Sequence, residues 1–449
     1  MHLWRAKAEY FLYWIFDKYI HNVERTETIK YTGKVVAVKG LLIQSLGPRS
    51  VVGEMCTIEI SKGHLIDAEV VGFEGKIVKL MAYESTEGVE EGCVVTASGK
   101  LLEVPVGSEL LGRVLNSRGK VCDGKGNISC SAFYPAVKNA PDPLSRTPLT
   151  QKITTGVRAI DSLLTIAKGQ RVGIFAGSGV GKSTLLSTIA RNTNADINVI
   201  ALVGERGREI PEFLQKDLGE EGLKRSVVVF SSGSETPVSK IRAAYVATAI
   251  AEYFRDQGKD VMLMMDSVTR FAQAERDIGT LNGEPPQRRG YPASAFTTTQ
   301  QLLERAGAND RGTITGIYTV LVDGDDFDEP VSDTVRGVLD GHIVLSRSLA
   351  SRQHYPAIDV LKSISRLMNS VSSSQEKKAS SLVKHWMAVY EQQEEFITAG
   401  VYQRGASQEV DEAVDHHVAI DSFLCQEPEE KCTMEDTLQK LSELSGIEL

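Results

Sequence analysis

The chain has 449 residues, which is long enough for two or three domains that each bury a core. Hydrophobic residues make up 42% and charged residues 24%, the composition of an ordinary globular protein. The net charge of −9 excludes a strongly basic chain, and no Lys/Arg run marks a nucleic-acid-binding surface, so we expect no nucleic-acid partner.

The six cysteines are scattered along the chain and form no C-x-x-C pair. This spacing favours reduced thiols over a disulfide framework or a zinc site. His416 and His417 are the one histidine pair, and acidic residues surround them. We interpret that pair as part of a solvated acidic helix face and not as a metal site.

Residues 1–27 are predicted to contain a short amphipathic helix, because aromatic residues recur there partly at helical spacing. The longest apolar run, from Tyr10 to Phe16, is far shorter than the ~20 residues that a membrane span requires. No small-residue cleavage site follows it, so we do not expect a signal peptide. A helix of this kind meets a partner or a membrane surface.

Residues 28–101 have the pattern of a small β-barrel. Segments such as "KYTGKVVAVKGLLIQSLG" and "LIDAEVVGFEGKIVKLMAY" alternate apolar and polar residues and are interrupted by glycine. Short strands at this spacing are typical of barrels and sandwiches.

Residues 102–371 are predicted to form an α/β domain with a mainly parallel sheet. Apolar runs in this region alternate with helical segments, and near-continuous apolar strands belong to parallel sheets covered on both faces. Ligands of such sheets bind at the carboxyl ends of the strands, where this chain has a glycine-rich loop and several acids. The predicted strands are "RVGIFA", "INVIALVG", "SVVVF", "DVMLMMD", "ITGIYTVLVD" and "GHIVLS".

Residues 372–449 are predicted to be a helical, acidic C-terminal domain. The segment "SQEKKASSLVKHWMAVYEQQEEFI" has apolar residues at intervals of three to four. Thr433 and Asp436 have the spacing of a helix capping box.

The stretch "AGSGVGKST", residues 176–184, lies between an apolar strand and a helical segment and predicts a phosphate-binding loop. Glycines let backbone N–H groups turn toward phosphate oxygens, Lys182 would reach the β- and γ-phosphates, and the Ser183 hydroxyl would bind Mg²⁺. Ala176 replaces the first glycine of the usual pattern, while the remaining pattern is intact. The predicted nucleotide-binding residues of the loop are Gly177, Ser178, Gly179, Val180, Gly181, Lys182, Ser183 and Thr184.

Charged residues near other strand ends are candidates for the chemistry. Asp266 ends the apolar strand "VMLMMD", and a buried acid there needs a cation, so we assign it to Mg²⁺. Glu205 follows another strand and could polarise the attacking water. Spacing alone leaves open whether Glu205 is a surface carboxylate, and whether Arg206 and Arg270 serve phosphate or form structural salt bridges.

Five segments together resemble the flagellar protein-export ATPases, which are relatives of the type III secretion ATPases and of the catalytic subunit of rotary ATP synthases. The resemblance runs from about residue 28 to 449. It implies a β-barrel, a RecA-like P-loop ATPase domain and a helical C-terminal domain, assembled as a homo-hexamer. The segments are "FAGSGVGKST", "GERGREIPEFLQKDLG", "MMDSVTRFAQAERDIG", "LLERAG" and "DGHIVLSR".

The resemblance also implies roles for individual residues. It makes Glu205 the catalytic carboxylate, with Arg206 and Arg270 supporting the phosphate site, and Lys182, Ser183 and Asp266 the phosphate and Mg²⁺ residues. In "YPAIDVLKSISR", Tyr355 matches the ring that stacks on adenine, and Arg366 matches the arginine that reaches into the neighbouring subunit. Without the family, Tyr355 reads as a core aromatic and Arg366 as a solvated loop cation.

Cofactors, partners and location follow from the resemblance alone. It implies ATP and Mg²⁺, a regulator dimer at the N-terminal helix, export-gate and stalk-like proteins, and chaperone–substrate complexes. It implies a cytoplasmic ATPase with peripheral association at the inner face of the cell membrane.

Three alternatives remain. The catalytic subunit of a rotary proton-translocating ATP synthase shares much of the pattern. A Rho-type RNA translocase predicts a basic barrel with stacking aromatics, whereas this barrel is mixed to acidic. A non-catalytic ring subunit should lack the carboxylate at position 205, which is present. Residues 286–301 depart from the usual form of the family, and no substrate role is transferred to them.

Overall fold

The computed structural model describes residues 30–60, 63–322 and 329–449. The predicted N-terminal helix of residues 1–27 lies outside these ranges. Contacts divide the chain into two compact units, with the division between Leu101 and Leu102. Within the described ranges, no helix combines the length and the apolarity that crossing a membrane demands.

The first unit is a closed six-stranded barrel, as its alternating sequence predicts. The strands are joined in the order β1-β2-β5-β4-β3-β6, and every neighbouring pair is antiparallel. Alternate side chains such as Ile43, Ile58 and Leu80 fill its interior. The strands are β1 (Thr32–Lys39), β2 (Leu42–Leu46), β3 (Glu54–Ile60), β4 (His64–Glu74), β5 (Ile77–Ala82) and β6 (Val94–Leu101).

The second unit contains a large, mainly parallel sheet. Its main path runs β17-β16-β10-β15-β13-β11-β12-β8. All six predicted strands are present, and wherever two of them are neighbours in the sheet they run parallel. Strand β17 is antiparallel to β16. The strands are β8 (Val114–Leu115), β10 (Arg171–Ala176), β11 (Ile197–Glu205), β12 (Ser226–Ser232), β13 (Asp260–Asp266), β15 (Thr313–Leu321), β16 (Gly341–Leu345) and β17 (Ile358–Ser365), besides β14 (Gly307–Ala308) on β15 and the separate ribbon of β7 (Glu103–Val106) and β9 (Ala132–Pro135).

Helices cover the large sheet, which explains why its strands are apolar on both faces. The longest helix of the core, α5, packs on strands β11, β12 and β13. It begins after Thr236, whose side chain accepts a hydrogen bond from the Ser239 N–H. The core helices are α1 (Arg158–Leu163), α2 (Lys182–Asn192), α3 (Glu209–Glu212), α4 (Gly219–Lys224), α5 (Pro237–Asp256), α6 (Val268–Leu281), α7 (Ala293–Leu303), α8 (Pro330–Val338), α9 (Arg347–Ser351) and α10 (Met368–Val371).

Three C-terminal helices complete the second unit: α11 (Ser374–Thr398), α12 (Gln408–Leu424) and α13 (Met434–Ser445). The predicted capping box of Thr433 and Asp436 opens α13, because each side chain binds the backbone of the other. The fold class predicted from the sequence, a barrel followed by an α/β core and C-terminal helices, is therefore confirmed.

The histidine pair differs from its predicted environment. His416 stacks on Trp386 with ring centroids 3.8 Å apart, and His417 stacks on Tyr390 at 3.6 Å. The pair thus joins α12 to α11 instead of lying on a solvated face. The periodicity placed the histidines on a helix but did not reveal the aromatic partners, which lie on a different helix.

Candidate active site

The glycine-rich loop and two acids meet at one edge of the large sheet. The loop follows β10, Glu205 ends β11 and Asp266 ends β13. These strands are parallel, and only β15 separates β10 from the β13–β11 pair. Their carboxyl ends therefore converge, which is where open α/β sheets bind ligands.

The loop has the backbone geometry of an anion cradle. Gly179 and Gly181 have φ angles of 81° and 86°, in the left-handed region that favours glycine. Gly181 directly precedes α2, so the loop presents the N-terminus of a helix. At Gly177 a Cβ atom would lie 2.7 Å from Arg347 Nε, so a side chain there would require the Arg347 guanidinium to move. Val180 is buried and anchors the loop, whereas Ser178 is exposed.

Lys182 and the two acids form one charged group. The Lys182 Nζ atom lies 2.5 Å from Asp266 Oδ1 and 3.8 Å from Glu205 Oε1. Burial raises the pKa of Glu205 above its ordinary value, and the nearby Asp266 carboxylate adds to this effect, while Lys182 opposes it. The structure therefore brings together three residues that the sequence placed 23 to 84 positions apart.

Asp266 has a partner that the sequence did not reveal. Its side chain is buried, and Oδ1 accepts a hydrogen bond of 2.7 Å from the Thr319 hydroxyl on β15. The same hydroxyl lies 3.2 Å from the Met265 carbonyl oxygen. Thr319 lies inside an apolar strand, and only the pairing of β13 with β15 brings it to the acid. A lone threonine in such a run carries no local signal of this role.

We expect Thr319→Val to weaken the site, because the substitution preserves shape but removes the donor to a buried carboxylate. Hydrogen bonds to charged groups contribute about 1.5–3 kcal/mol, so hydrolysis at limiting Mg²⁺ should fall by about 10- to 100-fold. The measurement is the Mg²⁺ dependence of steady-state ATP hydrolysis. Thr319→Ser is the matched control and should retain most activity; equal activity of the valine and serine variants would contradict the assignment.

A small cavity beside the loop has the chemistry of a magnesium site. It has a volume of about 140 Å³, and Ser183, Glu205 and Asp266 are among its lining residues. Mg²⁺ prefers oxygen ligands, and in nucleotide enzymes it is bound by one or two protein groups together with substrate phosphates. The donors present here, a hydroxyl and carboxylates, fit that requirement.

A larger cavity of about 650 Å³ also borders the loop. Gly181 and Thr184 line it together with Tyr355, whose side chain is partly exposed. A Cβ atom at Gly181 would lie 3.6 Å from the Tyr355 ring. The volume and the apolar lining suit a small organic ligand such as a nucleobase.

The opposite wall of the larger cavity comes from the C-terminal part of the chain, which the sequence did not predict. Cys425, Gln426, Glu427, Pro428 and Glu430 line it. Nothing in the local sequence distinguishes this segment, because it follows α12 as an irregular stretch. Its position depends on contacts with residues more than 200 positions away.

Arg158 and Gln426 make those contacts. The buried Arg158 guanidinium donates to the carbonyl oxygens of Phe423 and Cys425 and forms an ion pair with Glu430. Gln426 accepts from the Arg158 N–H at 2.9 Å and donates to the Gly156 carbonyl at 2.8 Å. The entrance to α1 and the cavity wall are thereby fixed to each other.

The predicted arginines occupy different places. Arg270 passes beside Gly204, and its charge opposes the rise in the pKa of Glu205, so it lies near the charged group. The Arg206 side chain is 71% exposed and pairs with Glu209 at 3.1 Å. The structure therefore brings Arg270, but not the Arg206 guanidinium, toward the acids.

Arg366 lies away from the loop of its own chain. It follows β17, and Ser365 pairs with Gly341 at the start of β16, whereas the loop begins beside Leu345 at the end of β16. The four-residue step along β16 from Gly341 to Leu345 corresponds to roughly 13 Å between the Arg366 end of the strand and the loop end. The Arg366 side chain is exposed and lines neither cavity.

A strand–loop–helix phosphate cradle, a lysine within it and two acids on neighbouring strand ends define a P-loop ATPase of the RecA-like class. The chain matches three family descriptions: "ATP synthase alpha/beta family, beta-barrel domain" over residues 35–99, "ATP synthase alpha/beta family, nucleotide-binding domain" over 156–365, and "T3SS EscN ATPase C-terminal domain" over 372–443. Together with relatives that are 45% to 53% identical over 92% to 96% of the chain, these matches show that it belongs to the family of flagellar and type III secretion ATPases, and it is an ATP-hydrolysing enzyme.

Relatives cover nearly the whole chain. It is 53% identical to the flagellum-specific ATP synthase of Treponema pallidum (96% of this chain, 97% of the relative) and 50% to that of Bacillus subtilis (96% and 98%). It is 45% identical to the type 3 secretion system ATPase of Xanthomonas euvesicatoria (92% and 94%). Among solved structures, the assembled ATPase EscN of enteropathogenic E. coli superimposes with a TM-score of 0.88 at 41% identity (92% and 100%).

Proposed function

We propose that this enzyme hydrolyses ATP in a flagellar type III protein export apparatus, as a ring that releases chaperones and promotes entry of unfolded substrates into the export gate. The observation that carries the proposal is the group of Lys182, Asp266 and Glu205 at the strand ends beside a glycine cradle. The high identity to flagellum-specific enzymes over the full ATPase and C-terminal regions supports the flagellar branch.

Some residues of the site bind the nucleotide, and others take part in the hydrolysis. The amides of residues 177–184 and Lys182 hold the phosphates, and Tyr355 stacks on the adenine in the larger cavity. Ser183 and Asp266 would hold Mg²⁺, which would neutralise charge on the phosphates. Lys182, now paired with Asp266, turns toward the phosphates when ATP enters. Glu205 orients the attacking water, and its raised pKa suits a proton acceptor.

A ring of six copies completes the site. The solved EscN relative is described as assembled, which supports an oligomer here. Arg366 lies near the start of β16, at the opposite end of that strand from its own loop, so we assign it to the loop of the neighbouring subunit. Arg270 supports the phosphate site within the same subunit, and Arg206, on the surface, does so once its contact with Glu209 opens.

Partners are proposed by analogy with the relatives. A second EscN structure contains its central stalk EscO, which supports a stalk-like partner for this chain. We assign residues 1–27 to a regulator dimer, and the ring to export-gate proteins and chaperone–substrate complexes. We therefore propose that the enzyme works in the cytoplasm, peripheral to the inner face of the cell membrane.

Export in living cells tests the proposal. In a strain lacking the gene, wild-type chain should restore secretion of flagellar proteins and motility, whereas Lys182→Ala should restore neither, because the phosphates lose their cation. Lys216→Ala is the matched control, since Lys216 is an exposed lysine paired with Glu212 in the same domain. It should complement like the wild type.

The same strain separates export from rotary ATP synthesis. An export ATPase leaves growth on a non-fermentable carbon source unchanged when it is deleted, whereas loss of a rotary catalytic subunit abolishes that growth. Normal secretion in the deleted strain, or loss of respiratory growth, would overturn the proposed function.

A further inference from the structure

Three side chains with metal-binding atoms cluster beside the larger cavity. His354 Nδ1 lies 2.8 Å from Asp421 Oδ1 and 3.4 Å from Cys425 Sγ. A set of ligand atoms, one from each residue, lies within 4.8 Å of one another. Among the residues that the structure describes, no other group of three or more His, Cys, Asp or Glu side chains converges in this way.

We propose that His354, Asp421 and Cys425 form a binding site for Zn²⁺. Imidazole nitrogen, thiolate sulfur and carboxylate oxygen are the three ligand types that Zn²⁺ takes in proteins. With the usual bond lengths, tetrahedral ligation places nitrogen and sulfur about 3.5 Å apart and nitrogen and oxygen about 3.3 Å apart. The first distance is already present, and the second requires Asp421 to withdraw by about half an ångström.

The cluster is held from both sides by backbone hydrogen bonds. The His354 N–H donates to the Leu349 carbonyl at 3.0 Å, and the Cys425 N–H donates to the Asp421 carbonyl at 3.0 Å. The Gln426 N–H donates to the Tyr355 carbonyl at 2.8 Å, joining the two segments. Binding of the ion therefore requires little reorganisation of the chain.

One proposed ligand is buried and another is open to solvent. The His354 side chain is only 8% exposed, whereas that of Asp421 is 56% exposed. Cys425 faces the larger cavity. An ion can approach through Asp421, and the cavity offers room for a water as the fourth ligand, which is the coordination of zinc sites with three protein ligands.

The charges of the three ligands suit a divalent cation. A bound cation stabilises the thiolate form of a cysteine directly. Thiolate and carboxylate together match the charge of Zn²⁺, with a neutral imidazole as the third ligand.

The experiment titrates the reduced, full-length protein with Zn²⁺ in excess Mg²⁺, using a chromophoric zinc indicator as competitor. We expect one Zn²⁺ per chain, and Cys425→Ser should weaken binding at least about 100-fold, because even groups that only orient metal ligands contribute 10- to 100-fold. Asp421→Asn, a change at an exposed side chain, should weaken it in the same direction and guards against misfolding of the serine variant.

Spectroscopy and controls identify the ligands. Co²⁺ in place of Zn²⁺ should give a thiolate-to-metal charge-transfer absorption in the wild type and none in Cys425→Ser. Cys122→Ser changes an exposed thiol elsewhere in the second unit, and this variant should bind Zn²⁺ like the wild type. The double variant His416→Gln/His417→Gln should do the same. Retained binding in Asp266→Asn separates this site from the magnesium site.

Two outcomes would overturn the site. One is equal Zn²⁺ affinity of the wild type and of both Cys425→Ser and Asp421→Asn. The other is a Co²⁺ complex without thiolate absorption. The proposal is independent of export, because each of these measurements uses the purified protein without ATP.

Discussion

Arg366→Ala should lower ATP turnover by about 10³- to 10⁵-fold, the contribution of an arginine supplied to the transition state by a neighbouring subunit. Nucleotide affinity should change little, because Arg366 lines neither cavity of its own chain. The wild-type specific activity should rise with protein concentration as rings form. Arg404→Ala, which removes an exposed arginine paired with Asp415, is the matched control and should remain active.

Mixed rings give the decisive measurement. Arg366→Ala subunits have an intact Glu205, and Glu205→Gln subunits have an intact Arg366, so a mixed ring contains interfaces with both groups. Some activity should return on mixing two nearly inactive preparations. Absence of activity in rings that sedimentation shows to be mixed would mean that Arg366 does not act across the interface.

Glu205→Gln should lower turnover by about 10²- to 10⁴-fold, the usual contribution of a general base. The amide preserves size and hydrogen bonding but removes the negative charge that orients and polarises the attacking water. Affinity for Mg-ATP should be retained, since Lys182, Ser183 and Asp266 are unchanged. Single-turnover hydrolysis and binding of a fluorescent ATP analogue separate the two effects.

Glu209→Gln is the control for that experiment, because Glu209 lines the same small cavity but pairs with Arg206. It should hydrolyse ATP within a few-fold of the wild type. If Glu209→Gln were the inactive variant, or if Glu205→Gln lost binding and turnover together, the base would have to be reassigned.

The main features of the fold were accessible from local pattern. Each predicted parallel strand was a near-continuous apolar run, the composition that burial on both faces of a covered sheet favours. Strand β17 differs from these runs, because "IDVLKSIS" alternates apolar and polar residues and lies antiparallel at the sheet edge, where one face meets solvent. The order of the strands could not be read from the sequence, since it depends on pairing between distant segments.

The site was predictable where a motif encodes backbone geometry, and much less so elsewhere. The spacing of the glycines and Lys182 is by itself enough to predict the loop. Thr319, the Arg158 contacts and the wall at residues 425–430 depend on tertiary packing. Arg305, in the quoted segment "LLERAG", shows the same limit: it is buried in a bidentate ion pair with Glu252 and supports the structure, not the chemistry.

The contacts of Arg158 and Gln426 have a consequence for how this protein can change. One wall of the larger cavity belongs to the end of the chain, so the C-terminal helices are not an appended module that can be exchanged freely. A chimera that receives this region from a relative inherits part of the wall of the larger cavity with it. Residues on the two sides, near 156–158 and near 423–430, must therefore be transplanted together.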